Sequence, residues 1–162
     1  MDNIREATEA DLPAITEKYN DAVLHTTSTF DLVEMTAVEQ LEWFRSHDSE
    51  VPVIVLEEDG IVRGWAALSK WSPKPAYGGT VENSLYVHKD YRGKGYGKKL
   101  LEGIIQIASK SSFHTVIARI AGDNTLSISM HEKAGYIKIG TMIEAGLKFG
   151  KYIDVVLMEK IL

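Results

Sequence analysis

The chain has 162 residues, of which 44% are hydrophobic and 25% charged, and its formal net charge is -5. This profile is typical of one globular domain over residues 1–162, and the acidic balance argues against a nucleic-acid-binding protein. Because the chain has no cysteine, disulfides, cysteine metal sites and a cysteine nucleophile are excluded.

The termini and the histidines give no sign of a membrane or metal partner. Residues 1–6 lack a charged segment followed by an apolar one, and no apolar run approaches 18 residues. The histidines lack paired spacing such as H-x-x-x-H. We therefore expect no metal, no membrane partner and a cytoplasmic location.

Hydrophobic periodicity and turn residues predict alternating strands and helices. The first half of the chain is predicted to begin with a strand at 4–7 and a helix that runs from a capping box at 8–11 to residue 22. A loop at 25–31 and a second helix, from a capping box at 36–39 to residue 44, follow. Strands at 53–57 and 61–71 are then joined by a turn at Asp59–Gly60.

The second half continues the alternation. The predicted elements are a strand at 80–87, a glycine-rich turn at 92–97, a helix at 98–110 and a strand at 115–120. A helix at 125–134 follows and ends at Gly135. The last strands, at 136–140 and 152–160, can pair across the loop between them. In the strand at 80–87, Glu82, Ser84 and Tyr86 share one face, because side chains alternate along a strand. The fold class is α/β or α+β with a central sheet.

The turn at 92–97 predicts a phosphate site. Glycines allow the backbone to approach a ligand, and the N-terminus of the following helix carries unpaired N–H groups and partial positive charge. A Walker A loop is disfavoured because Lys99 stands where a hydroxyl residue is needed, and the G-x-G-x-G spacing differs from the dinucleotide fingerprint. The remaining pattern is Arg-x-x-Gly-x-Gly, matched by Arg92, Gly95 and Gly97.

That pattern resembles the acetyl-CoA pyrophosphate loop of the GNAT superfamily of N-acetyltransferases. Asn124, Ser127 and the run His131–Tyr136 resemble its second signature, although the superfamily usually has tyrosine in place of His131. The chain is closer still to the phosphinothricin and methionine sulfone or sulfoximine acetyltransferase branch. That likeness covers nearly the whole chain and includes Tyr19-Asn20, Phe30-Asp31, Gly64-Trp65, residues 81–87, Met130-His131-Glu132, and Gly146 to Asp154.

The resemblance implies the GNAT fold, a mixed and mostly antiparallel sheet flanked by helices, with acetyl-CoA as co-substrate. The residues expected to bind the cofactor are Leu85, Tyr86, Val87, Arg92, Gly93, Lys94, Gly95, Tyr96, Gly97, Lys98, Asn124 and Lys133. Several have simpler alternatives: ordinary sheet pairing for residues 85–87, a helix N-cap for Asn124, and solvent exposure for Lys133.

The resemblance also suggests catalytic residues. Glu82 is expected to deprotonate the acceptor amine, with a solvated carboxylate or an ammonium ligand as the alternatives. His131 is expected either to protonate the departing thiolate or to be structural. Aromatic residues expected to line the substrate pocket are Phe30, Trp65, Trp71 and Tyr77.

The predicted function is acetyl transfer from acetyl-CoA to a small amino-acid-like amine, such as phosphinothricin, methionine sulfone or methionine sulfoximine. Without cysteine, the reaction is expected to proceed by direct attack in a ternary complex. The alternatives are a peptide or protein N-terminal acetyltransferase and a non-catalytic acetyl-CoA sensor. The branch resemblance further suggests a homodimer with the substrate site near its interface.

Overall fold

The computed structural model describes residues 2–162. Within them are seven strands, namely β1 (Asp2–Glu6), β2 (Val53–Glu58), β3 (Ile61–Lys70), β4 (Thr80–Val87), β5 (Thr115–Ala121), β6 (Ile137–Lys148) and β7 (Lys151–Ile161). The four α-helices there are α1 (Leu12–His25), α2 (Ala37–Arg45), α3 (Tyr96–Lys110) and α4 (Thr125–Lys133). Short 3-10 turns at Glu9–Asp11, Pro75–Tyr77 and Lys89–Tyr91 were not predicted.

The strands form one sheet in the order β1-β2-β3-β4-β5-β7-β6. Only β4 and β5 are parallel neighbours, and the other pairs in this sheet are antiparallel. The predicted mixed, mostly antiparallel sheet with flanking helices is therefore confirmed.

Alternating side chains divide the apolar residues between the two faces of the sheet. One face packs on the apolar side of α3, where Leu100, Leu101 and Ile104 are fully buried. The other face packs on α1, with Ile15 and Trp65 at its centre. Burial of both faces accounts for the near-continuous apolar runs in β2 and β3.

The two predicted capping boxes are present. The Asp11 carboxylate accepts from the Thr8 backbone N–H at 2.8 Å, and the Glu39 carboxylate accepts from that of Thr36 at 2.8 Å. Each box satisfies N–H groups that the first helical turn leaves unpaired. Helix α3 begins at Tyr96, two residues before the predicted start, because Gly95 is its N-cap.

Strand β6 corrects the prediction for the last segment. The expected loop after residue 140 is instead a continuation of the strand to Lys148. The hairpin turn lies at Phe149 and Gly150, whose φ angles are +52° and +71°. A register shift between Met142 and Gly146, with Glu144 at φ +52°, interrupts the alternation that would have revealed the strand.

Candidate active site

A cleft opens where β4 and β5 separate. The two strands pair only between Thr80–Glu82 and Thr115–Ile117, whereas β4 remains paired with β3 as far as Val87. The edge of β4 that faces β5 is therefore free of β5 pairing beyond Glu82. A strand edge of this kind can receive an extended ligand through backbone hydrogen bonds. The cavity at this gap has a volume of about 1630 Å³ and reaches both α1 and the start of α3.

The glycine-rich turn forms one end of the cleft. Gly93 and Gly95 adopt φ angles of +77° and +83°, and an added Cβ at either would meet no atom within 4 Å. The first turn of α3 follows directly, its N-cap Gly95 has no side chain to cap it, and Arg92 and Lys98 line the cavity beside it. Positive charge and the backbone N–H groups of a helix N-terminus suit a phosphate.

Two residues of the predicted loop have side chains directed elsewhere. Lys94 does not line the cavity, and its Nζ lies 5.0 Å from the centroid of the Tyr91 ring. The Tyr96 ring is buried, and its hydroxyl donates to Glu58 at 2.8 Å. Tyr96 lines the cavity, and its hydroxyl contact fixes the start of α3 to the sheet.

Small and apolar groups form the wall between α3 and α4. An added Cβ at Gly97 would lie 3.3 Å from Met130 Sδ, with Leu85 and Val87 just beyond. A larger residue at position 97 would intrude on these contacts, which explains a glycine inside a helix.

Asn124 and Lys133 lie at the α4 side of the cavity. Asn124 Oδ1 accepts from the Ser127 N–H at 3.1 Å, so this residue is the N-cap of α4. The cap role leaves its side-chain amide N–H groups for another partner, and a dual role remains our expectation.

Glu82 forms a bidentate ion pair at the point where the strands separate. Its two carboxylate oxygens accept from Arg119 Nε and Nη2, at 2.6 and 2.8 Å. These bonds raise the pKa of Arg119 above its ordinary value. The guanidinium also lies over the Trp71 ring, 5.6 Å from its centroid. Glu82 is therefore held in one orientation at the mouth of the gap.

Aromatic rings form the wall of the cleft on the Glu82 face of the sheet. The Tyr86 ring lies between Trp65 and Tyr19, at centroid distances of 4.9 and 5.2 Å. Trp43 packs on the far side of Trp65, at 5.4 Å. Burial raises the pKa of Tyr86 above its ordinary value, so this phenol stays neutral at physiological pH.

The segment after α1 is fixed across this wall by polar contacts. The Tyr19 hydroxyl bonds with Thr29 Oγ1 at 2.9 Å and donates to the Asp31 carboxylate. Lys148 on β6 donates to the Thr29 carbonyl at 2.8 Å and is only 3% exposed. Burial lowers the pKa of Lys148, and the Asp31 carboxylate partly offsets that effect.

The four predicted pocket aromatics separate into two groups. Phe30 and Trp65 line the cavity, and the Phe30 ring packs so closely on Gly146 that an added Cβ there would lie 2.2 Å away. Trp71 and Tyr77 are not among its lining residues. Trp71 contacts the site through Arg119, and Tyr77 is exposed on the turn after β3.

His131 is buried in a hydrogen-bonded network, with 2% of its surface exposed. Its Nδ1 lies 2.8 Å from the Ser127 carbonyl and its Nε2 lies 3.1 Å from Asn83 Nδ2. The carbonyl can only accept and the amide nitrogen only donate, so this arrangement assigns the neutral tautomer with the proton on Nδ1. The Tyr136 hydroxyl completes the network by donating to Asn83 Oδ1 at 2.9 Å. Burial lowers the pKa of His131 below its ordinary value.

We expect His131→Leu to destabilise the fold by about 1–3 kcal/mol at neutral pH, because the buried Asn83 amide loses its acceptor. The native chain should also lose stability as pH falls below about 6.5, since a histidine with a lowered folded pKa binds its proton more readily when unfolded. The variant lacks that contribution and should show a weaker dependence. Urea unfolding at pH 7.5 and 5.5 measures both effects, and equal pH dependence in the two proteins would assign the effect to another group.

Sequence comparison assigns the chain to a family. The sequence model of the acetyltransferase (GNAT) family matches residues 12–136. The chain belongs to this family. The family membership predicted from the two sequence signatures is therefore confirmed.

Similar proteins cover nearly the whole GNAT chain. An L-methionine sulfoximine/L-methionine sulfone acetyltransferase of Salmonella typhimurium is 38% identical over 157 residues, which cover 96% of this chain and 92% of the relative. The structure of yncA from Salmonella typhimurium, solved with its cofactor acetyl-CoA, has a TM-score of 0.96 and 37% identity, covering 99% of this chain and 94% of that one. A ribosomal-protein-alanine N-acetyltransferase structure from Brucella melitensis has a TM-score of 0.96 and 36% identity, covering 99% of both chains.

The cleft fits the acetyl-CoA of a GNAT enzyme in three respects. The free edge of β4 suits the amide-bearing arm, the glycine turn suits the pyrophosphate, and the volume of about 1630 Å³ accommodates a long ligand. No group of three or more His, Cys, Asp or Glu side chains arranged to hold a metal occurs in residues 2–162. In the same part of the chain, each helix is too short or too polar to cross a membrane.

The structure adds contacts at the site that sequence reasoning missed. Arg119 faces Glu82 across the gap, Asn83 orients His131, and Tyr19 and Lys148 fix the segment around Thr29. Arg119 could have been noticed as a single charge inside an otherwise apolar strand, TVIARIA. Lys148 was predicted either to pair with a substrate carboxylate or the cofactor or to be exposed to solvent; the structure instead buries it against a segment about 120 residues earlier in the chain.

Proposed function

We propose that the chain transfers an acetyl group from acetyl-CoA to the amine of a small amino-acid-like acceptor. The observation that carries this proposal is a fixed carboxylate, Glu82, at the mouth of the β4–β5 gap and beside an aromatic wall. The gap is where an extended thioester ligand would end, and the wall is where a small acceptor would lie. The name of the Salmonella relative, which acts on methionine sulfoximine and sulfone, supports this acceptor class.

Acetyl-CoA would supply an activated acetyl group. The neutral acceptor nitrogen would bond to the carbonyl carbon, the carbon–sulfur bond would then break, and coenzyme A would leave as its thiol with the proton that the nitrogen gives up. Residues 85–87 would hold its amide-bearing arm along the free edge of β4, and residues 93–98 would hold the pyrophosphate. Arg92, Lys98 and Lys133 line the same cavity and would neutralise its phosphates. A backbone N–H near Leu85 would stabilise the negative charge that develops on the carbonyl oxygen.

Glu82 would accept the proton that the acceptor ammonium must lose before its nitrogen can attack. A carboxylate that acts directly or through one water is sufficient, because an α-amino group has a pKa of about 7.7–8.0. Arg119 holds the carboxylate in place, and each Glu82 oxygen keeps a further lone pair for the ammonium. Positioning the amine beside the thioester would supply most of the rate.

We assign the proton-transfer role to Glu82 and a supporting role to His131. Both His131 ring nitrogens are within hydrogen-bond distance of groups in the protein interior. The ring would keep Asn83, and with it the end of β4, in the correct position.

The reaction is tested by thiol release from acetyl-CoA with the purified protein. Acceptors are phosphinothricin, methionine sulfone, methionine sulfoximine, ordinary amino acids, a polyamine and short peptides. Turnover confined to the amino-acid-like acceptors is the expected result. Preference for peptides would favour the N-terminal acetyltransferase instead. Tight acetyl-CoA binding without turnover would favour a sensor.

We further propose that the enzyme is a cytoplasmic homodimer that uses the β6 edge of the sheet. This strand presents the exposed apolar side chains of Ile137, Ile139, Ile143 and Leu147, and the turn that follows presents Phe149. An exposed edge strand with such residues favours pairing with another chain. The family resemblance suggests a second copy as that partner, and β6 also carries Lys148, which contacts the substrate-side segment.

Ile143→Glu should convert the dimer to a monomer. The side chain is 78% exposed in the single chain and would be buried in the proposed dimer, where an unpaired charge is unfavourable. Light scattering after size-exclusion chromatography measures the mass. Ile61→Glu, an exposed position at the distant β2–β3 hairpin, is the matched control and should remain dimeric. A monomeric native protein would contradict the proposed assembly.

A further inference from the structure

Arg119 carries a binding edge that the fold leaves open. Its Nε and Nη2 face Glu82, while the structure shows no partner for Nη1 within residues 2–162. A guanidinium has five N–H donors, so its second edge can bind another carboxylate without loss of the first ion pair. The Arg119 side chain is 53% exposed, and the residue lines the cleft.

The position of Arg119 follows from the parallel pairing of β4 and β5. Glu82 is opposite Ile117, and Arg119 is two residues further along β5, on the same face and just inside the gap. The Trp71 ring packs against the guanidinium at 5.6 Å. Contacts with both Trp71 and Glu82 hold the planar guanidinium in position before a ligand binds, which reduces the conformational entropy that Arg119 loses when the ligand binds.

Building on the function proposed above, we propose that Arg119 binds the α-carboxylate of the acceptor while Glu82 receives its ammonium group. The two side chains form an adjacent positive and negative pair, which complements the adjacent opposite charges of a free amino acid. A peptide N-terminus or a polyamine has no carboxylate beside its amine. Arg119 therefore selects free amino acids over those acceptors, and it is a specificity-determining residue for the reaction.

The test compares an acid with its own carboxamide. Values of kcat/KM are measured for L-methionine sulfone and L-methionine sulfone carboxamide with the native enzyme and Arg119→Gln. Loss of Glu82 orientation affects both acceptors, whereas loss of carboxylate binding affects only the acid. The acid-to-carboxamide ratio of kcat/KM should therefore fall at least about tenfold in the variant.

Controls separate this role from a structural one. Arg45→Gln removes an arginine that is also paired with a glutamate, Glu9, but lies outside the cleft, and it should keep the native ratio. Arg119→Lys should retain part of the preference. An unchanged ratio in Arg119→Gln would overturn the proposal and limit Arg119 to orienting Glu82.

Calorimetry tests the binding role of Arg119 even if the protein does not acetylate these acceptors. Absence of native turnover with both acceptors would contradict the acetyl-transfer reaction on this class. Binding of the acid and the carboxamide in the presence of coenzyme A then decides the role of Arg119. Weaker binding of the acid alone in Arg119→Gln would support it, and equal affinities in both proteins would overturn it.

Discussion

Glu82→Gln is expected to lower kcat for acetyl transfer by at least about 100-fold, with little change in the affinity for acetyl-CoA. The amide keeps the size of the side chain but cannot take the proton of the acceptor ammonium. The variant should recover part of its rate at alkaline pH, where more of the acceptor amine is already neutral. Thiol release measured between pH 7 and pH 10 shows both effects.

The control for this substitution is Glu9→Gln. Glu9 also pairs with an arginine, Arg45, at 2.9 Å, but lies outside the cleft, so this variant should retain native kcat. A Glu82→Gln enzyme with native kcat and a raised KM for the acceptor would show that Glu82 binds the ammonium. A variant unchanged in both constants would remove Glu82 from the mechanism.

Gly95→Ala should weaken acetyl-CoA binding at least about tenfold. Gly95 is the N-cap of α3 at φ +83°, a conformation that costs a residue with a Cβ roughly 1–2 kcal/mol. Relief of this strain would turn the first N–H groups of the helix away from the pyrophosphate, and each hydrogen bond to a charged group contributes about 1.5–3 kcal/mol. Isothermal titration calorimetry with coenzyme A measures the loss.

Gly60→Ala is a closely matched control. Gly60 has a φ of +76° and equally open space around an added Cβ, but lies in the β2–β3 turn, outside the residues that line the cleft. Both variants should lose similar stability in thermal unfolding, and only Gly95→Ala should lose affinity. Equal affinity in the two variants would show that the turn at Gly95 does not hold the pyrophosphate.

Strands and helices with strong local signals were correctly predicted. The helix after the glycine turn shows apolar residues at helical spacing, and the two capping boxes mark helix starts. The strand at 80–87 alternates clearly, and this alternation predicts that Glu82, Ser84 and Tyr86 share one face. In β6 the bulge around Glu144 interrupts the alternation, so most of that strand was missed.

Side-chain roles at the site were less accessible from the sequence. The pattern around Asn124 and His131 indicated the second signature, yet it could not show that His131 is buried against Asn83 and Ser127. Aromatic residues suggested a pocket, but Trp71 and Tyr77 do not line the cavity, whereas Tyr19 and Tyr86 do. The difference depends on which helix packs on which face of the sheet.

The sequence by itself determined the family, the glycine turn before α3 and the face on which Glu82 lies, because these follow from local spacing and strand alternation. The tertiary structure alone decided where β4 and β5 separate and that Arg119 faces Glu82 across the gap. It also decided that Lys148 fixes the segment at Thr29. These contacts join residues between 37 and 119 positions apart, and only the packed sheet brings such residues within hydrogen-bond distance.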